Sequence, residues 1–295
     1  MASNNYWIER EKKNIQQNLK ADASFAKELR NEYSAARKDI QAMIAENYER
    51  LAAKEHISLA EAKKRVSKMD VQDFSATAAK MVKAKDFSPE ANERLRLYNA
   101  TMRINQLENL KSQIGLKLIG THSTIVEKII TWLTKKYRGE IERQAGILGE
   151  DRLTVSDDQI KQIINSSFHN ATWSQRIWAS QDELKARLDV LLRRSLINGT
   201  GPRALAGQLR QTFDVSAAQA ERLMRTETAR VQDSASMDMF KKYGIKQVKW
   251  VAEPSACRIC LDIASHNDGI YDFDEVPMIP AHANCRCAKA AYVTD

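Results

Sequence analysis

The stretch Cys257-Arg258-Ile259-Cys260, followed after an acidic excursion by Pro280-Ala281-His282-Ala283-Asn284-Cys285-Arg286-Cys287, contains every cysteine of the chain. A CxxC turn points two thiolates at one position, and a His/Cys cluster roughly 20 residues on can close a tetrahedral shell, so the spacing predicts one zinc ion. Five residues, Cys257, Cys260, His282, Cys285 and Cys287, compete for four places. The CxxC pair is the more secure half. In an extended segment Cys285 and Cys287 share a face, whereas His282-x-x-Cys285 suits a turn, and both solutions are open. A disulfide pair or a redox CxxC are the rival readings. A redox motif, however, would normally open a helix in a thioredoxin-like unit and needs no second cluster.

Working outward, the cluster sits between two short strand patterns. Ile245 to Ala252 alternates, with Val248, Trp250 and Ala252 on one face, and Cys285 to Val293 is a weaker second strand. A small antiparallel sheet pinned by zinc is expected, with the acidic stretch Asp268 to Glu275 exposed between the ligand pairs.

Upstream the sequence is helical. The 295 residues include only ten Gly and five Pro, and Ala, Leu, Lys, Arg, Glu and Gln abound. From Tyr6 to about Ala53, apolar residues at Ile8, Ile15, Leu19, Phe25, Leu29, Tyr33, Ile40, Ile44, Tyr48 and Leu51 recur mostly in steps of four and seven. One narrow stripe on a charged helix results, and it needs a partner. Trp7, near its start, is either an exposed anchor or buried. Ser58 to Glu61 reads as a capping box, and Ser88-Pro89 opens a helix to about Ile119. Gly120 and His122 suggest a break, with a restart at Thr124 to Glu127. Lone His56, His122 and His169 read as ordinary helix or cap residues.

The polar interval Gly146 to Ser156 divides an extended helical region, 1–150, from a helical plus zinc-binding region, 151–295. Capping signals then become dense at Ser156 to Gln159, Thr172 to Gln175, Ser180 to Glu183 and Ser216 to Gln219. They predict two short helices carrying Trp173, Ile177, Trp178, Leu184, Leu188, Leu191 and Leu192, a stop at Asn198-Gly199, and a start at Gly201-Pro202. A helix from about Ala217 to Tyr243 follows, ended by Gly244. Glu227 lies on its apolar stripe and must find a partner, because an unpaired buried carboxylate is costly. Arg222, Arg225 and Arg230 are near enough in sequence to supply one. A structural pair is the expected role of Glu227, since no second carboxylate or nucleophile accompanies it.

Charge is uneven. Residues 1–250 hold 43 Lys and Arg against 31 Asp and Glu, and residues 251–295 hold 3 against 7. The basic body is consistent with contacts to nucleic-acid phosphates, and the Lys63-Lys64-Arg65 and Lys135-Lys136-Tyr137-Arg138 clusters, with Lys63, Lys64, Arg65, Lys135, Lys136 and Arg138, are the candidates. The opening residues are polar and charged, which predicts no secretory signal. The most apolar window, Ile114 to Leu133, is broken by Lys117, His122, Glu127 and Lys128, which predicts no membrane span.

The order Arg225-Thr226-Glu227, Tyr243-Gly244-Ile245, Trp250, Cys257-x-x-Cys260 and Pro280-x-His282-x-x-Cys285-Arg286-Cys287 resembles the Mu F-like head-morphogenesis, or minor head protein, family of tailed bacteriophages. The resemblance is carried from about residue 155 onward, with a slighter likeness over Asp86 to Tyr98. Ala283 departs from the proline common after the histidine. The residue patterns give a mainly α protein, with long N-terminal helices and a helical middle, ending in a small zinc-pinned α+β domain; the resemblance implies a protein made in the infected cell and built in few copies into the phage head. Its expected partners are portal, capsid or scaffold proteins and packaged double-stranded DNA, its zinc is structural, and it is not an enzyme. The alternative is a zinc-dependent nuclease in which His266 or His282 activates water, although a Cys-rich shell normally leaves no open position for that.

Overall fold

A computed structural model describes residues 4–52, 106–148, 154–167, 170–198 and 202–293. Among them the chain forms α1 (Asn4–Ala52), α2 (Gln106–Leu148), α3 (Asp157–Ile164), α4 (Trp173–Asn198), α5 (Pro202–Lys242), β1 (Gln247–Val251), α6 (Arg258–Ser265), a 3-10 turn (His266–Gly269), β2 (Ile270–Asp272) and β3 (Ala288–Tyr292). It is mainly α with a small antiparallel sheet at its end, as expected. No helix of the described residues is long and apolar enough to cross a membrane.

The helices gather into two compact units. Unit 1 comprises 1–28, 128–173 and 220–295, and unit 2 comprises 29–127 and 174–219. Residues 149–153, in the interval where the sequence places a boundary, lie outside the described set, as do Ser58 to Glu61, Ser88-Pro89, His56 and His169.

Helix α1 contains neither Gly nor Pro, and its buried positions explain its length. Ile15, Asn18, Asp22, Phe25, Leu29, Tyr33, Ala36, Ile40, Ile44 and Asn47 are all under a tenth exposed. They advance in steps of three and four, so one face stays covered throughout. Asn18 and Asp22 fill the gap that apolarity alone leaves between Ile15 and Phe25. Trp7 packs with Ile15, Val251 and Ala290, and is thus partly buried within the chain.

Three expected interruptions are absent. Helix α2 runs without a break through Gly120 and His122. A glycine inside a helix costs about 1 kcal/mol, and the buried row Ile114, Leu118, Ile119, Ile125, Ile129 and Leu133 outweighs that. His122 is fully buried, with Nδ1 2.9 Å from the Leu118 carbonyl and Nε2 3.4 Å from the Tyr33 hydroxyl. Helix α4 is likewise one helix and not two. Ser180 donates to Gln219 at 2.9 Å, and Ile177, Gln181, Leu184, Leu188 and Leu192 keep the face buried across the expected cap. Helix α5 starts at Pro202 as expected but absorbs the start predicted at Ser216. That hydroxyl turns back to the Thr212 carbonyl at 3.4 Å, the alternative open to a mid-helix serine.

Two signals hold as read. Ser156 and Gln159 form a reciprocal capping box at the start of α3. Gly244, at φ +65°, ends α5, with bonds from Gly244 to Lys241 (3.1 Å) and from Ile245 to Phe240 (3.0 Å). These are the two bonds of a Schellman motif, which needs a left-handed residue there.

The sheet order is β2-β1-β3, antiparallel throughout, with Val248 opposite both Tyr271 and Ala291 and Trp250 opposite Lys289. Strand β2 was not anticipated, because it is only three residues long inside an acidic stretch. Val251 and Ala290 face Ile15 of α1, whereas Val248 packs with Phe240 and Trp250 with Ala229 of α5. The sheet therefore lies between the first part of α1 and the last part of α5. At the open edge of β3, the Asn4 side chain donates to the Val293 carbonyl at 2.8 Å and accepts from its amide at 2.9 Å. It completes the edge in place of another strand.

Candidate metal centre

Beyond β1 the chain turns into α6 with Cys257 at its N-cap, φ −75° and ψ 171°, so Cys260 falls in the first helical turn on the same side. Cys260 is fully buried against Trp250, Ile279, Cys285 and Cys287. The second half of the cluster comes from a tight turn in which the Cys285 amide donates to the His282 carbonyl at 3.2 Å. Asn284 supplies the left-handed residue it needs, at φ 72°. Cys287 then leads into β3.

All five sequence-predicted ligands converge. His282 Nε2 lies 3.0 Å from Cys257 Sγ and 3.1 Å from Cys260 Sγ, and Cys260 Sγ is 3.6 Å from Cys285 Sγ. Cys257, Cys260 and His282 form one close group and Cys260, Cys285 and Cys287 another, with Cys260 common to both. The four cysteines are free thiols, and 3.6 Å is far beyond a disulfide bond of about 2.05 Å. His282 Nδ1 sits 2.8 Å from the Ala283 carbonyl. With the proton on Nδ1 donated there, the Nε2 lone pair faces the sulfurs, the arrangement usual for a ligating histidine.

The electrostatics fit a cation. A hydrogen bond from the Cys287 thiol draws the Cys285 pKa down to about 5 against the effect of burial, helped by the backbone amides of Cys287 and Ala281. Donating that proton, together with burial, raises Cys287. Burial, with the neighbouring Cys285 charge, pushes Cys260 up to about 12. A bound dication would favour the ionised form of these thiols. Sulfur and imidazole donors suit a borderline-soft ion. The cluster could hold a metal ion.

Arg225 and Glu227 flank Thr226 on α5 but serve different partners. Glu227 is 1% exposed and accepts from Arg230 Nε at 2.7 Å. Arg230 also donates to the carbonyls of Ile163 and Ile164, both at 2.9 Å, and to Ser166 Oγ at 2.7 Å. It thereby satisfies the free C-terminal end of α3. Of the three arginines near Glu227, Arg230 is its ion-pair partner. Arg225 reaches instead to Glu253, at 2.5 Å, and to the Asn284 carbonyl, at 2.9 Å.

The basic candidates are scattered. Lys135 and Arg138 are exposed, and Arg138 pairs with Asp157. Lys136 is half-buried, 3.0 Å from Asn18 Oδ1 and 4.6 Å above the Trp132 ring, and burial lowers its pKa. Lys63, Lys64 and Arg65 lie outside the described residues. His266, considered as a water activator, stacks on Tyr271 at 5.9 Å and is not among the clustered metal-ligand candidates.

Sequence reading missed Glu253 and Asp22. Glu253 Oε1 accepts from the Arg286 amide at 2.9 Å, and the Arg286 guanidinium binds Asp22 on α1 through two bonds of 2.7 and 3.1 Å. The available signal for Asp22 was its place seven residues from both Ile15 and Leu29, on the buried stripe.

Residues 186–290 match the family described as phage Mu protein F like protein. The matched segment includes all five clustered side chains, and the similarity fits a phage head protein. No curated protein and no solved structure matches the chain.

Proposed function

We propose that the chain is a minor head protein acting in phage head morphogenesis. In this reading it contacts portal or capsid subunits and packaged DNA without catalysing a reaction, and it resides in the head after assembly in the host cytoplasm. The observation that carries the reading is the match over 186–290, which spans the whole metal cluster and the helix that supports it. The positive balance of residues 1–250 supports a role at DNA, through phosphate contacts without sequence preference. Lys135 and Arg138 on α2, and Lys63, Lys64 and Arg65, are the proposed contacts.

Zinc is the proposed ion, and its role is structural. Cys257, Cys260 and His282 supply three ligands, and Cys285 and Cys287 contend for the fourth place. A three-stranded sheet of strands three to five residues long buries little apolar surface, so closure by a metal would supply much of its stability.

Three measurements test this. Assembled heads analysed by quantitative mass spectrometry should contain the protein in stoichiometric amount. Purified protein should shift double-stranded DNA at low salt, with affinity falling steeply as salt rises. Absence from heads together with indifference to DNA at low salt would overturn the reading. Elemental mass spectrometry should find one zinc per chain, reduced by Cys257→Ser or His282→Ala, and unequal losses for Cys285→Ser and Cys287→Ser would identify the fourth ligand.

A further inference from the structure

The turn carrying His282 and Cys285 is tied on both sides by a continuous chain of polar contacts, part-buried on α5 and buried at Arg286. Thr226 Oγ1 accepts from the Asn284 amide at 2.8 Å while its own proton goes to the Arg222 carbonyl at 2.7 Å. Arg225 Nε holds the Asn284 carbonyl at 2.9 Å. Both backbone groups of the one left-handed residue of the turn are therefore engaged by two adjacent side chains of α5. Arg225 continues to Glu253, and the other oxygen of Glu253 takes the Arg286 amide. Because Cys285 and Cys287 point toward the cluster, Arg286 between them points away. Its guanidinium, in a residue only 3% exposed, meets Asp22, 4% exposed, on α1.

We propose that Thr226, Arg225 and Glu253 form a positioning frame that presets the His282–Cys287 turn for its metal, and that Arg286 passes the state of that turn to residues 4–28 of α1 through Asp22. The inference rests on the metal reading above and adds what the metal controls. The physical ground is that a free turn with a left-handed asparagine samples many conformations, and each fixed backbone group removes some of them before the ion arrives. Conversely, a turn that relaxes without metal carries Arg286 with it and leaves Asp22 buried without its partner, which is strongly unfavourable. Metal loss therefore loosens the first helix, which otherwise covers one face of the sheet.

The test is zinc competition against a chromophoric chelator, using full-length protein and four variants. Thr226→Val, an isosteric exchange of hydroxyl for methyl, should weaken zinc by about 10- to 100-fold, the usual effect of losing a supporting contact behind a ligand. Thr226→Ser, which keeps the hydroxyl, should restore near-parent affinity. Glu253→Gln should weaken zinc similarly, and exposed Glu275→Gln should not. In parallel, hydrogen exchange is followed on zinc removal. Uptake in residues 4–28 should rise, while 29–47 and 108–127 of unit 2 stay protected.

A zinc affinity for Thr226→Val equal to the parent's, with Glu253→Gln also unaffected, would overturn the frame. Unchanged exchange in 4–28 on chelation, or an equal rise throughout unit 2, would overturn the link to α1. A parent protein that takes up no zinc removes the metal reading itself, an outcome distinct from both.

Discussion

The two units share helices α1, α2 and α5 but fill their interiors differently. Unit 2 is built on Leu29, Tyr33, Ile40, Ile44, Ile114, Leu118, Ile125, Leu184 and Leu188, and Lys111 is its one charged residue under a tenth exposed among those described. Unit 1 buries Glu11, Asp22, Glu140, Glu227, Glu253, Arg286 and Lys289 to the same degree. Each has a partner: Arg143 bridges Glu11 at 2.7 Å and Glu140 at 2.5 Å, and Lys289 holds Asp233 at 2.9 Å. The same helical sequence style thus supports a core with few buried charges, where apolar and neutral polar side chains mix, and an ion-paired core around a thiol cluster, which tolerates repacking less.

With zinc bound as proposed, its removal should distinguish the two units most. Structural zinc contributes about 10–16 kcal/mol of apparent binding energy in small zinc domains, so chelator or Cys260→Ser should abolish the near-ultraviolet signal of Trp250. A chelator-independent helical transition should remain from unit 2. Loss of both in one step would erase the contrast.

Next in size is Arg286→Met, which leaves Asp22 buried and unpaired, at a cost of about 3–5 kcal/mol. The double change Asp22→Leu/Arg286→Met should recover most of it in denaturant unfolding. No recovery would mean that the arginine acts through more than this pair. In unit 2, Leu118→Ala should cost about 2–5 kcal/mol and leave zinc affinity untouched.

The carboxylates on Arg143 offer a finer test. Burial alone would raise Glu140, but Arg143, with Ser236 and Gln144, draws it below its ordinary range. Burial raises Glu11 despite Arg143. A depressed carboxylate stabilises the fold above its unfolded pKa and loses that contribution as pH falls through the folded one; a raised carboxylate does the opposite. At neutral pH Glu140→Gln should therefore destabilise by about 1–3 kcal/mol and Glu11→Gln by less. The difference should close on acidification. Equal costs at neutral pH would remove the asymmetry. The smallest effect belongs to the capping box, where Ser156→Ala should lower stability by about 1 kcal/mol without changing zinc binding.

Much of this was legible in residue order. The clustering of four cysteines and His282 is a matter of spacing, and α1, the Ser156 cap, the Pro202 start, the Gly244 stop and β1 follow from local rules that operate within a few residues. The misreadings share one cause. Gly120, Ser180 and Ser216 carry real local signals for helix ends, each amounting to about 1 kcal/mol. A buried stripe running past them is worth more, and its extent is set by what packs against it.

The sequence by itself determined the helical class, the five Cys and His side chains that cluster and the basic body, because composition and short-range spacing carry those. Only the tertiary structure decided that Glu227 binds Arg230, that Arg225 and Thr226 hold the ligand turn, and that Arg286 meets Asp22, 264 residues earlier in the chain. Those choices depend on which buried charges come within reach of each other, and electrostatic pairing in a low-dielectric interior is a property of distance in space, not of separation along the chain.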